Sequence, residues 1–195
     1  MSEKGVTGIV LAGGKSRRMG TEKGMLKLGS KHMIEYSIEV LEGICNQILI
    51  IENSDTYNFL GYEVIADIIP KSGPMGGIYT GLLNSNNDLN LLLSCDMPFI
   101  HPDLLKDLVK SSSGFDIVVP WHGGQNFEPM CAFYHKNSMK VFYEFIQRQN
   151  FKIPDTFEQL KTHKFLFHSN LNYYTGDLFF NVNSKEEFEQ LKNKF

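Results

Sequence analysis

The sequence predicts an α/β fold built on one doubly wound, mostly parallel sheet with a late mixed β portion. Three observations carry this reading. Short aliphatic and β-branched runs stand at 6–11, 47–51, 62–65, 89–94 and 115–119, helix-like segments at 32–41, 75–83 and 102–110 alternate with them, and the pattern loosens after residue 120. Alternation of this kind is what strand, crossover helix, parallel strand produces.

The elements follow in order. The run 6–11 opens the sheet. Ile34, Ile38 and Leu41 fall on one face of the first helix, and the third helix opens with Pro102 near its first turn, where a missing N–H is harmless. Between them, Gly76 and Gly77 either open the second helix so that its N-terminus faces a ligand, or Gly73-Pro74 marks a plain turn. Further on, 128–134 reads as a strand, 136–149 as a helix, and 164–168 and 178–182 as late strands; Ser184 with Glu187 makes a capping box for a C-terminal helix. The aromatic-rich stretch 133–180 reads as core and interface, not as a platform for stacking bases. No repeat or low-complexity tract interrupts the chain. With 195 residues and 42% hydrophobic content, it is expected to form one domain over 1–195.

The most informative segment is Leu11-Ala12-Gly13-Gly14-Lys15-Ser16-Arg17-Arg18-Met19-Gly20-Thr21-Glu22-Lys23-Gly24, directly after the first strand. Paired glycines at a strand end let the main chain approach a ligand closely, with N–H groups facing an anion. Lys15, Arg17, Arg18 and Lys23 add cationic side chains, which suits a polyphosphate better than a single carboxylate. A P-loop is excluded, because the glycine it requires five residues before Gly14 is Ile9; the dinucleotide fingerprint G-x-G-x-x-G is absent as well.

Composition excludes other classes. A net charge of −3 with 21% charged residues argues against a general nucleic-acid binder. Cys45, Cys95 and Cys131 form neither a disulfide framework nor a zinc motif. No run reaches the ~20 apolar residues of a membrane helix, and no h-region opens the chain, so a cytoplasmic location without membrane partner is expected. The six histidines show no metal-ligand spacing, and neither G-x-S-x-G nor H-E-x-x-H occurs.

In open parallel sheets ligands sit beyond the carboxyl ends of the strands. Asp96 lies there, after 89–94, and suits either a turn cap before Pro98 or a magnesium ion shared with substrate phosphates. Asp67 follows 62–65 in the same manner. Asn53 follows 47–51; its amide can donate and accept, which fits a base edge or ribose, although Asn, Ser and Asp are ordinary turn formers.

The 11–24 loop resembles the signature of nucleotidyltransferases that activate a phosphorylated partner with an NTP and release pyrophosphate. With Gly73-Pro74-Met75-Gly76-Gly77-Ile78, Ser94-Cys95-Asp96-Met97-Pro98, Glu128-Pro129 and Asn181-Val182-Asn183 following in order, nearly the whole chain resembles the MobA-like molybdenum cofactor guanylyltransferases. The resemblance implies a Rossmann-like nucleotidyltransferase fold and transfer of GMP from GTP to molybdopterin. It implies that Leu11, Ala12, Gly13, Gly14, Lys15, Lys23, Asn53, Asp67 and Asp96 bind the nucleotide, that Lys23, Asp96 and Arg17 serve catalysis, and that Asp96 coordinates Mg2+. Asn181, Asn183 and Lys152 are implied on the acceptor side, and transient docking to proteins that make or receive the cofactor is expected. Two positions depart from the family pattern: Glu22 stands where Asp often precedes the signature lysine, and Lys152 where Arg is usual, and Lys lacks the planar fork of Arg. Two other readings stay open on the residues alone: a sibling enzyme with another NTP or acceptor, cytidylyl or sugar-phosphate, and a non-catalytic nucleotide-binding module.

Overall fold

A computed structural model describes residues 5–13 and 22–192. Seven strands form one sheet: β1 (Val6–Leu11), β4 (Gln47–Ile51), β5 (Glu63–Ile65), β6 (Leu89–Ser94), β7 (Ile117–Trp121), β8 (Cys131–His135) and β9 (Thr162–Leu166), in the order β5-β4-β1-β6-β8-β7-β9. β8 alone runs against the others; it pairs antiparallel with β6 on one side and β7 on the other. A short hairpin of β2 (Lys27–Leu28) and β3 (Lys31–His32) precedes the first helix.

β1 is buried along its whole length, as a central parallel strand covered on both faces must be. Its side chains alternate between two cores. Val6 and Val10 join Ile34, Ile38 and Leu41 of α1 (Met33–Glu42) and Leu104, Leu105 and Leu108 of α3 (Pro102–Lys110). Ile9 and Leu11 face the opposite layer, where Ile78 and Leu82 of α2 (Gly73–Asn84) and Phe142, Phe145 and Ile146 of α4 (Met139–Gln147) pack. The period of two in the strands and the helical spacing in the layers thus settle one chain into a three-layer arrangement.

The glycines of α2 have a packing reason. A Cβ on Gly77 would come within 2.9 Å of Leu11 Cδ2, and one on Gly81 within 2.6 Å of Ile9 Cγ2, so the helix lies directly on β1. Gly73 at the head of α2 has φ of +59°, a conformation glycine adopts cheaply.

The late region departs from the sequence reading. The run 178–182 forms turns, not a strand: Leu178 N–H donates to Thr175 and Phe180 N–H to Asp177. Gly176, Asp177, Asn181 and Asn183 break up the ladder, while Leu178 and Val182 still bury their side chains. The strand expected at 164–168 occupies Thr162–Leu166, and the helix expected at 136–149 begins with a tighter turn at Lys136–Ser138. At 128–134 pairing starts only at Cys131, because Cys131 N–H turns back to the Glu128 carbonyl. The capping box is present at α5 (Lys185–Lys192): Glu187 N–H donates to Ser184 Oγ at 3.1 Å and Glu187 Oε2 accepts from Ser184 N–H.

Candidate active site

The strand order reverses between β1 and β6: the chain adds β4 and β5 on one side of β1, then crosses to β6 on the other. This switch point is where doubly wound sheets open a crevice. The carboxyl ends of β1 and β6 are tied together there, Cys95 N–H donating to the Leu11 carbonyl at 3.1 Å.

Asp96 sits one residue beyond that tie, nearly buried at 7% exposure. Its Oδ1 accepts from Ser94 Oγ, and its Oδ2 lies 2.9 Å from Lys23 Nζ. The ammonium of Lys23 also donates to Asn183 Oδ1 at 3.0 Å. Three residues separated by up to 160 positions in the chain therefore meet in one hydrogen-bonded group. Lys23 is held in place by a tight turn, Lys23–Met25, in which Leu26 N–H closes on the Lys23 carbonyl. Gly24 permits it, since a Cβ there would be 2.5 Å from the Tyr57 hydroxyl. Asn183 is brought in by the backbone: Val182 N–H donates to the Asp96 carbonyl at 3.2 Å.

The second wall comes from β4 and β5. Asn53 Oδ1 accepts the N–H of Asp67 at 2.9 Å, joining the two strand ends, while the exposed amide nitrogen of Asn53 has no partner among the described residues. Asp67 Oδ1 accepts from Ile69 N–H and Thr80 Oγ1, each at 3.1 Å, which fixes the carboxylate against α2. Its Oδ2 is 2.8 Å from where a Gly76 Cβ would stand, so Gly76 leaves room for the carboxylate. The glycine run thus serves two purposes: Gly76 seats Asp67, and Gly77 lets α2 close on Leu11.

One expectation about the cradle is corrected. The N–H groups of Ala12 and Gly13 both donate to the Ile51 carbonyl, at 3.1 and 3.0 Å, and do not face an anion. Among the described residues no hydrogen-bond donor is found for the Ala12 and Gly13 carbonyls. Gly13 does not have positive φ, and a Cβ there would make only ordinary contacts, the nearest 3.5 Å from the Ile51 carbonyl oxygen. Gly14, Lys15 and Arg17 lie outside the described residues.

Of the acceptor-side residues, Asn181 and Asn183 lie beside Asp96, and the Asn181 Oδ1 is buried without a partner. Lys152 stands apart at the head of the turn Ile153–Glu158, its N–H bonded to Asn150, and no described contact links it to Asp96, Asn181 or Asn183.

Glu52 was not singled out by the sequence. It follows β4 at 9% exposure, its Oε1 accepting Asn53 N–H at 2.6 Å. Burial pushes its carboxyl above the usual range, Asn53 N–H opposes this, and the nearby Glu22 adds to the rise. A charged residue immediately after the buried run 47–51 was the available signal.

This arrangement meets its relatives in sequence. A family profile described as a MobA-like NTP transferase domain matches residues 8–159. A "probable molybdenum cofactor guanylyltransferase" of Natranaerobius thermophilus is 36% identical over 96% of this chain and 95% of its own. The chain belongs to the MobA-like NTP transferase family. A second member of the same printed name, from Pelotomaculum thermopropionicum, is 34% identical over 93% of this chain and 89% of its own. The fold agrees: the crystal structure of molybdopterin-guanine dinucleotide biosynthesis protein A from Archaeoglobus fulgidus superposes with a TM-score of 0.80 at 24% identity, covering 96% of this chain and 97% of that one. In this MobA-like chain the signature lysine donates to both the strand-end aspartate and the late asparagine. No helix among the described residues is long and apolar enough to cross a membrane.

Proposed function

We propose that the protein transfers GMP from GTP to molybdopterin, giving the guanine dinucleotide form of the cofactor and pyrophosphate. The observation that carries this reading is the Lys23–Asp96–Asn183 group at the switch point. A terminal phosphate oxygen of the acceptor attacks the α-phosphorus of GTP, the bond from that phosphorus to the bridging oxygen breaks, and pyrophosphate leaves with the electron pair. The nucleophile is already anionic and needs no general base, so catalysis rests on alignment and on offsetting charge.

Lys23 is the described cation placed for that task. Asp96 and Asn183 hold its ammonium in the crevice, from which it reaches phosphate oxygens as a point charge. On the other wall, the free amide of Asn53 and the carbonyls of Ala12 and Gly13 suit the donor-rich edge of guanine, and the missing side chain at Gly13 leaves space for a base or ribose. Lys15 and Arg17 are proposed to extend the cationic lining.

Magnesium fits the donor set. Among the described residues no group of three His, Cys, Asp or Glu could cage an ion, but Mg2+ is usually held by one or two carboxylates together with substrate phosphates and water. Asp96 provides one such carboxylate, nearly buried and at the strand end. Bound there with GTP, the ion would supply charge neutralisation between phosphates. A cytoplasmic setting accords with these substrates.

The test is direct: incubate the protein with Mg2+, molybdopterin and each NTP in turn, and weigh the product. A guanine dinucleotide from GTP alone supports the reading; a cytidine adduct or a sugar nucleotide would assign the chain to a sibling reaction.

A further inference from the structure

Glu22, the residue immediately before Lys23, turns its side chain into the segment that follows β4. Ser54 Oγ donates to Glu22 Oε1 at 3.3 Å. The other carboxylate oxygen, Oε2, is buried and completes no hydrogen bond among the described residues, and the same holds for the hydroxyl of the fully buried Tyr57. Burial foremost, and then Cys95, Glu22 and Glu52 nearby, push that phenol up; burial likewise raises the Glu52 carboxyl, and Glu22 adds to the rise. One carboxylate thus meets three residues of the segment 52–57. Reach matters here: Asp, one methylene shorter, would stop about 1.5 Å short of Ser54.

The joint has a functional residue on each side. On one, Met25 N–H donates to the Glu22 carbonyl at 3.0 Å, so Glu22 opens the turn that presents Lys23, and that turn rests on Tyr57 at Gly24. On the other, Glu52 and Ser54 flank Asn53. Glu52 holds the Asn53 N–H, Asn53 holds the Asp67 N–H, and Ser54 is itself fixed, its Oγ donating to Thr56 Oγ1 at 2.8 Å and accepting from Thr56 N–H at 3.4 Å. The Lys23 ammonium and the Asn53 amide therefore hang from a single packed joint.

Resting on the guanylyl-transfer reading, we propose that Glu22 is a positioning residue that couples phosphate binding at Lys23 to base recognition at Asn53, by tying the lysine turn to Ser54 and seating it on Tyr57. A nucleotide is held at two ends, and fixing the distance between their partners beforehand spares the cost of ordering them on binding. A ligand with phosphates alone has no second end to align. Glu22 therefore governs how much a base adds to affinity, and touches neither phosphate nor base itself.

Calorimetric titration with Mg2+ tests this, using GTP and inorganic triphosphate, which carries the charges without a base. The wild type is expected to bind GTP the more tightly. Glu22→Ala is expected to weaken GTP about tenfold, the size of one lost hydrogen bond to a charged group, and inorganic triphosphate by less than about twofold. Glu22→Gln still offers Ser54 an acceptor at the same reach and should restore GTP binding to within about threefold of the wild type. Ser54→Ala removes the donor from the other side; it is expected to narrow the preference for GTP as Glu22→Ala does, and carries the test should that variant not fold. Equal losses for both ligands, a preference for GTP kept in full by the two alanine variants, or a Glu22→Gln protein no better than Glu22→Ala overturns the proposal alone. A wild type that gains nothing from the base removes the guanylyl reading and this proposal together.

Discussion

Lys23 and Asp96, 73 positions apart in sequence, form an ion pair of 2.9 Å in which the lysine side chain is 20% and the aspartate side chain 10% exposed. Neither charge is isolated, yet in the reaction proposed above each is also the group its side calls for: a cation for phosphate and a carboxylate for a metal. Under that proposal substrate binding is expected to divide the pair.

Asp96→Asn removes the carboxylate while keeping its shape and the bond from Ser94. Turnover is expected to fall by at least about 10²-fold, the scale of losing one preorganised electrostatic group, and to stop responding to added Mg2+. Circular dichroism and melting should show the fold retained. Magnesium-dependent turnover at the parent rate would remove Asp96 from the mechanism.

For Lys23→Ala the expectation is a joint loss of GTP affinity and rate, worth about 1.5–3 kcal/mol for one charge-assisted hydrogen bond. That corresponds to roughly 10- to 100-fold in affinity. Calorimetric titration with GTP and Mg2+ gives the number, and unchanged affinity would reduce Lys23 to a partner of Asp96.

Nucleotide choice can be read from melting. GTP with Mg2+ at ~100 times its dissociation constant should stabilise the fold by about 2.7 kcal/mol, while CTP and ATP at the same concentration give smaller shifts. Equal shifts for all three would mean that the crevice reads phosphates without reading the base.

Gly76→Ala drives a methyl to within 2.8 Å of Asp67 Oδ2, a carboxylate already held by Ile69 and Thr80. A cost of about 1–3 kcal/mol in stability is expected from overpacking, with weaker GTP binding because Asp67 is displaced. Gly43, which has open space around it, provides the control: Gly43→Ala should leave GTP binding unchanged.

Glu52 makes a pH prediction. Burial raises its carboxyl above the ordinary 4.5, so the folded protein binds this proton more tightly than the unfolded chain. Stability from this residue is then present at low pH and is lost as pH rises through the window that opens at 4.5. Glu52→Gln should therefore melt above the parent at neutral pH, the gap closing below about pH 4. A gap that widens on acidification would reverse the assignment.

Much of this was legible in sequence because it is local. Apolar runs bounded by glycines and turn residues gave β1, β4, β5 and β6, and strand-end placement marked Asp96, Asp67 and Asn53. The late strands were harder: 178–182 is as apolar as a strand, and only its long-range packing, with Leu178 and Val182 in different cores, decides that it turns. The anion-facing N–H expected at the paired glycines failed at Gly13 for a similar reason, since one carbonyl on β4 takes the N–H groups of both Ala12 and Gly13 and no local pattern announces a shared acceptor. Glu52, buried at a strand end, and the His122–Glu128 pair depend likewise on neighbours far along the chain.

β6 is bonded on one edge to β1, which leads into the nucleotide loop, and on the other to β8, which is entered through Glu128 and Met130. The end of β6 is thus held from both edges. Its position is set by ladder register, which side-chain alternation makes costly to slip by even one residue, so the place of Asp96 just beyond it is built in when the sheet zips up and needs no hinge between lobes to create it.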